Sequence, residues 1–206
     1  MNLTLNEDLV IARAQQGDLD AFNDLVLRYQ EMAYHQAYRI LGESDTAEDA
    51  TQEAFIAAYR KLASFQGGSF RAWILRIVTN RCYDFLRYHK RRPITALNPE
   101  NRDGEEIESP TWLADPSESP EERLLRGQLN QAIQHCLQNL PPAFRTVAIL
   151  VDVQGLDYTE AAQVIGKPVG TVKSRLSRAR ARLRDCLQGF WELLPDAFRL
   201  KAERKP

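Results

Sequence analysis

Between residues 167 and 184 the chain carries Lys167, Lys173, Arg175, Arg178, Arg180, Arg182 and Arg184, and no acid. Within that run Lys173, Ser174, Ser177 and Arg178 recur at intervals of three and four, so on a helix they lie side by side. The major groove of DNA admits a helix, and short polar or basic side chains at the helix start can reach base edges there. These four residues are the candidates for reading base pairs. Arg175, Arg180, Arg182 and Lys167 are expected to meet phosphates, which orient a protein without specifying sequence.

A second set lies at 71–92. Arg71, Arg76, Arg81, Arg87, Lys90, Arg91 and Arg92 face Asp84 alone, and Phe70, Trp73, Tyr83, Phe85 and Tyr88 are interleaved with them. Rings for stacking and cations for the backbone are the combination that holds single-stranded or melted nucleic acid. Asn80 stands out as a polar residue in an apolar stretch, able to read a base edge. Trp73 and Phe85 also read as core residues. The formal net charge of -1 conceals all this, because residues 99–122 carry nine acids against Arg102. Two basic clusters flanking an acidic connector point to two polyanion-binding surfaces.

Other chemistries find little support. His35, His89 and His135 are far apart, and no HExxH, GxSxG or GxxxxGK[ST] occurs. Cys82, Cys136 and Cys186 are widely spaced and odd in number, with no CxxC. Neither a disulfide scaffold nor a zinc site is expected, and Cys136 reads as a buried thiol. No metal, cofactor or enzymatic activity is expected. Apolar runs such as Val147–Val151 are too short to span a bilayer, and the start shows no basic segment leading into an apolar one. A soluble, reducing, cytoplasmic setting is the expectation.

The elements that must carry these residues are helices throughout. The Thr4-x-x-Glu7 spacing predicts a capping box for a first helix ending before Gly17. A second runs from about Asp20 to Leu41 and stops at Gly42, a third spans about 45–62, and a fourth runs from Phe70 to Arg92 and closes at Pro93. Residues 93–118 contain Pro93, Pro99, Pro110, Pro116 and few large apolar side chains, the composition of a linker unable to fold alone. Ser119-Pro120-Glu121-Glu122 restarts a helix that continues to Pro141-Pro142, and a short helix at 144–153 ends at Gly155. Asp157 and Glu160 then have capping spacing, Gly166 supplies a tight turn, and Pro168 opens a longer basic helix. That is a helix-turn-helix, with Val172, Leu176, Ala179 and Leu183 as its inner stripe. The fold class is therefore all-α: two helical domains joined by an acidic flexible linker, the C-terminal one a helix-turn-helix. The domains are 1–92 and 119–187, the linker 93–118, and a C-terminal extension 188–206.

With these motifs in this order, nearly the whole chain resembles the extracytoplasmic-function (ECF) sigma factors of bacterial RNA polymerase. The segment Asp49–Arg60 is similar to that family's polymerase-binding helix, and Phe70–Asn80 to its -10-element helix. Leu140-Pro141-Pro142 and Pro168–Leu176 are similar to its second domain and -35 reader. The resemblance implies a non-catalytic initiation subunit that grips core RNA polymerase through Asp49, Gln52, Glu53 and Phe55. It implies capture of an extruded base of the melted -10 strand by Asn80 and the 64–69 loop, Phe65 included, with Trp73, Arg76, Tyr83 and Arg87 on the same surface. Duplex -35 DNA would be read by the C-terminal domain, the acidic linker would thread a basic channel of the polymerase, and an anti-sigma factor would hold the free protein. Gly67-Gly68 give the capture loop little side-chain chemistry. The alternative is a stand-alone helix-turn-helix repressor or activator. It explains residues 157–184 but leaves the aromatic helix and the acidic connector without a purpose.

Overall fold

Asp18 accepts the Ala21 N–H at 3.0 Å and so starts helix α2 (Leu19–Leu41), one residue ahead of the expected position. Arg13 of α1 (Leu3–Gln15) pairs with the same carboxylate at 2.6 Å, fixing the α1–α2 corner, and these contacts hold the Asp18 carboxyl below its ordinary pKa. The computed structural model describes residues 3–91 and 119–193, and every element among them is helical. The acidic linker and the end of the tail lie outside the described residues.

Helix α1 begins at Leu3, so Thr4 sits inside the helix and not at its cap as the spacing predicted. Helix α3 (Ser44–Lys61) buries Ala47, Ala50, Ala54, Ala57 and Ala58, small side chains that let α2 and α4 approach closely. A 3₁₀ turn (Leu62–Ser64) follows. Helix α4 (Phe70–Arg91) buries Ile74, Leu75, Ile77, Val78 and Cys82. Beneath it the fully buried Gln36 of α2 donates to the Leu75 carbonyl and to Thr79 Oγ1, both at 2.9 Å. Two hydrogen bonds from one amide NH₂ in an apolar surround tie the rotation of α4 to α2, although the Gln36 Oε1 is itself buried without a partner among the described residues.

The C-terminal half comprises α5 (Pro120–Gln138), α6 (Pro142–Ala148), α7 (Tyr158–Ile165) and α8 (Val169–Leu187), ending in a 3₁₀ turn (Gln188–Leu193). The single short helix expected at 144–153 is instead α6 running into a π-helical turn, Ile149–Val153, which the Gln154 N–H closes on the Ile149 carbonyl at 2.8 Å. The buried cluster is continuous between the two halves. Side chains from the C-terminal half finish α2: Gln134 donates to the Tyr38 carbonyl at 3.1 Å, Gln138 to Arg39 at 3.2 Å, and the buried Arg145 to Ile40. A cation at a helix C-terminus is favoured, because the last carbonyls carry partial negative charge. Gln154 donates to the Met32 carbonyl at 3.3 Å while its own carbonyl accepts from Arg71.

One expectation fails outright. Cys136 of α5 and Cys186 of α8 form a disulfide, with Cα atoms 5.8 Å apart, and only Cys82 is free. The partners are 50 residues apart in sequence and meet because α5 packs against α8, a relation that spacing alone does not carry. The case for a reducing setting from cysteine usage falls with it.

Candidate nucleic-acid interface

The helix-turn-helix forms as its residues require. Asp157 accepts the N–H groups of Thr159 (2.7 Å) and Glu160 (2.8 Å), and the Glu160 carboxylate returns to the Asp157 N–H at 3.1 Å. Gly166, at φ 61°, makes the left-handed turn that lets α8 leave at an angle. Val172, Leu176 and Ala179 are buried, and Leu183 packs partly buried against them. Removing Val172 and Leu176 from water contributes about 1.5–3 kcal/mol each, which holds α8 on α7. The opposite side is left to solvent. Lys173, Ser174, Ser177 and Arg178 are all exposed there, as are Lys167 and Arg180, while Arg175 is half-buried.

The reading face has local structure of its own. The Ser174 hydroxyl donates to the Thr171 carbonyl at 3.1 Å, which leaves its lone pairs to accept from a base. The Lys173 ammonium stands 5.6 Å from the centre of the Tyr158 ring, and the Arg182 guanidinium 5.4 Å from that of Phe144. Arg180, read from sequence as a phosphate contact, pairs with Asp152 at 2.5 Å. Asp152 and Tyr158 were not foreseen as members of this surface.

On α4 the candidates share one face. Arg76 and Asn80 are exposed, Tyr83 is half-buried, and Arg87 pairs with Asp84. Tyr83 is also engaged by the C-terminal half, its hydroxyl 3.1 Å from Thr146 Oγ1 and 3.4 Å from the Pro142 carbonyl. The preceding loop turns through Gly67 and Gly68, at φ 90° and 89°, positions that a side chain would strain. Ser69 then caps α4 by accepting the Ala72 N–H at 3.1 Å. Phe65 and Trp73 are partly buried in an aromatic cluster, each ring 5.4 Å from the other and the two 5.4 Å and 5.2 Å from Phe70. The Phe65 carbonyl is tied to Gln15 at 2.8 Å, so the loop is braced at its root.

On α3 the candidate residues divide. Asp49, Gln52 and Glu53 are exposed, whereas Phe55 packs against the core. The outer face also carries exposed apolar residues, Ile56, 52% exposed, which follows Gln52 and Glu53 at helical spacing, and Tyr59, 43% exposed. That spacing was the signal available for Ile56, whereas Phe55 was expected from the family resemblance. Among the described residues no group of His, Cys, Asp and Glu could hold a metal ion, and no helix is long and apolar enough to cross a membrane.

Both halves of the chain match known protein families. Residues 25–92 match the Sigma-70 region 2 family and residues 130–183 the Sigma-70 region 4 family. The chain is 37% identical over 193 residues to the ECF RNA polymerase sigma-E factor of Escherichia coli, covering 91% of this chain and 97% of that one. It belongs to the ECF sigma factors. The ECF RNA polymerase sigma factor SigE of Mycolicibacterium smegmatis is 36% identical over 176 residues, which is 85% of this chain and 65% of that protein. The structure of the sigma factor RpoE of Bartonella quintana, in complex with the anti-sigma factor NepR, superposes with a TM-score of 0.63 at 26% identity, covering 81% of this chain and 96% of that one. Promoter recognition and transcription initiation are therefore the role of this sigma factor. Region 2 accounts for α2 to α4, which a lone repressor leaves unexplained.

Proposed function

We propose that this sigma factor docks on core RNA polymerase through the outer face of α3, with Asp49, Gln52 and Glu53 around the apolar Ile56, while Phe55 supports that face from within. Its N-terminal domain, 1–92, then captures a melted -10 base with Asn80, beside Arg76 and Arg87, the Phe65–Trp73 cluster bracing the capture loop. Its C-terminal domain, 119–187, reads duplex -35 DNA with Lys173, Ser174, Ser177 and Arg178, flanked by Arg175 and Lys167 on phosphates, with Arg180 on the same side of α8. It is a non-catalytic, cytoplasmic subunit.

The observation that carries this reading is that two chemically different faces are exposed, one per half. The face of α4 offers an amide and cations beside aromatic rings, which suits unpaired bases. The face of α8 offers short polar and basic groups at a helix start, which suits a groove. Tyr83 joins the first face only when its hydroxyl leaves Thr146 and Pro142, so full engagement of the promoter requires the two halves to separate. An anti-sigma partner that holds them together fits the same logic, and support comes from the Bartonella relative bound to NepR.

Asn80→Ala tests the assignment. In polymerase reconstituted with the variant, permanganate reactivity of -10 thymines should fall about tenfold or more, as expected when a base edge loses its partner. Closed-complex formation should stay near normal. Normal melting would contradict the base-capture role.

A further inference from the structure

We infer that Asp152, assisted by Tyr158, is a positioning residue for -35 recognition: it holds Arg180, and Tyr158 holds Lys173, as directional donors on the DNA-facing side of α8. This rests on the reading that α8 enters the -35 groove.

Asp152 belongs to the π-helical turn Ile149–Val153, outside the helix-turn-helix and 28 residues before Arg180. Its two oxygens take Arg180 Nε at 3.2 Å and Nη2 at 2.5 Å. Two bonds to one edge of a planar guanidinium fix its plane as well as its position. Asp152 first, and Tyr158 after it, strengthen the hold of Arg180 on its proton. The Tyr158 ring lies against the Lys173 ammonium at 5.6 Å. Tyr158, Lys173, Ser177, Arg180 and Arg184 line one shallow groove along α8.

The chemistry decides between two uses of such an acid. An unpaired carboxylate beside DNA repels phosphate and lowers affinity for every sequence alike. Asp152 commits both oxygens to one guanidinium, converting a mobile cation into a fixed fork. Fixing a long side chain before binding removes ordering that the complex would otherwise have to supply, and the benefit appears only where the matched element places a base acceptor in line with the fork, so the held Arg180 meets a base edge in place of the phosphate expected from sequence. Asp152 therefore raises selectivity for the matched element while slightly weakening attachment to DNA in general.

The test uses polymerase reconstituted with the full chain, on promoter DNA carrying a matched or a scrambled -35 duplex. Asp152→Ala should lower the matched-to-scrambled affinity ratio about tenfold, the scale of one well-made base contact. It should leave scrambled DNA bound as tightly or more so, with a salt dependence steeper by about one charge as Arg180 becomes free. Asp152→Glu, which keeps the carboxylate, should restore most of the ratio, and Asp152→Ala should add nothing to Arg180→Ala. Equal tightening on both DNAs would overturn the inference, because the acid would then merely subtract charge; an unchanged ratio would overturn it too. Arg178→Ala separates this from the parent reading. If neither Arg178→Ala nor scrambling matters, α8 does not read the element at all; if both matter and Asp152→Ala does not, only the positioning role falls. Melting temperature and core-polymerase affinity of each variant confirm that it is folded.

Discussion

Reduction of the Cys136–Cys186 bond is the perturbation whose size follows most directly from the structure. The bond closes a loop of 50 residues, running from α5 through the helix-turn-helix to the end of α8. In the chain-entropy view, freeing a loop of that length in the unfolded state costs the native state about 4 kcal/mol of relative stability at 25 °C. Because the buried cluster runs through both halves, the chain should melt as one unit of roughly 150–200 residues, where each kcal/mol is worth about 2–4 °C. Calorimetry with and without a phosphine reductant should thus show a drop of about 8–16 °C. Thiol titration gives an independent reading. Unfolded without reductant, the protein should expose one thiol, that of Cys82; with reductant it should expose three. In the native state even Cys82 should alkylate slowly, since burial pushes its pKa up to about 12. Three titratable thiols without reductant, or a melting temperature indifferent to it, would refute the reasoning.

Two further predictions concern the frame that carries α4. Burial holds the His35 imidazole below its ordinary pKa of 6.5, with Arg39 acting the same way and Glu31 opposing. The unfolded chain therefore takes up this proton first, so the contribution of His35 is complete above pH 6.5 and is lost as pH falls below it. Urea midpoints should decline between pH 7 and 5.5, and His35→Gln should flatten that decline; an unchanged slope would count against the burial effect. Gly42, at φ 89°, would place an added Cβ 2.7 Å from Gln138 Cδ, so Gly42→Ala combines backbone strain with displacement of a side chain that caps α2. A loss of about 1–2 kcal/mol is expected from the backbone alone, together with a longer fluorescence-transfer distance between the two halves; an unaltered urea midpoint would contradict it.

The helix-turn-helix was legible from sequence because its signals are local. Asp157, Glu160 and Gly166 act within a few residues of themselves, and the spacing of Val172, Leu176 and Ala179 states which side of α8 is buried. The same holds for α2 and α4, whose ends fall within one residue of expectation. What escaped is what depends on distant partners. Cys136 meets Cys186, Asp152 meets Arg180, and Tyr83 meets Thr146 across the two halves; no spacing announces these pairs. Gln36 and Thr79, on different helices, are a buried hydrogen-bonded pair under α4. Phe55 was expected on the outer face of α3 from the family resemblance, and the structure packs its ring toward the core while the helical interval from Gln52 and Glu53 turns Ile56 outward.

The central claim is that the α4 and α8 faces read two promoter elements together, and only on the polymerase. Run-off transcription from a promoter with both elements intact, compared with versions scrambled at -10 or at -35, measures this in one series. Transcripts should require core polymerase and this chain together, and each scramble should reduce them sharply. Transcription indifferent to both scrambles, or tight specific binding of the isolated chain to the same DNA with no polymerase present, would contradict the claim.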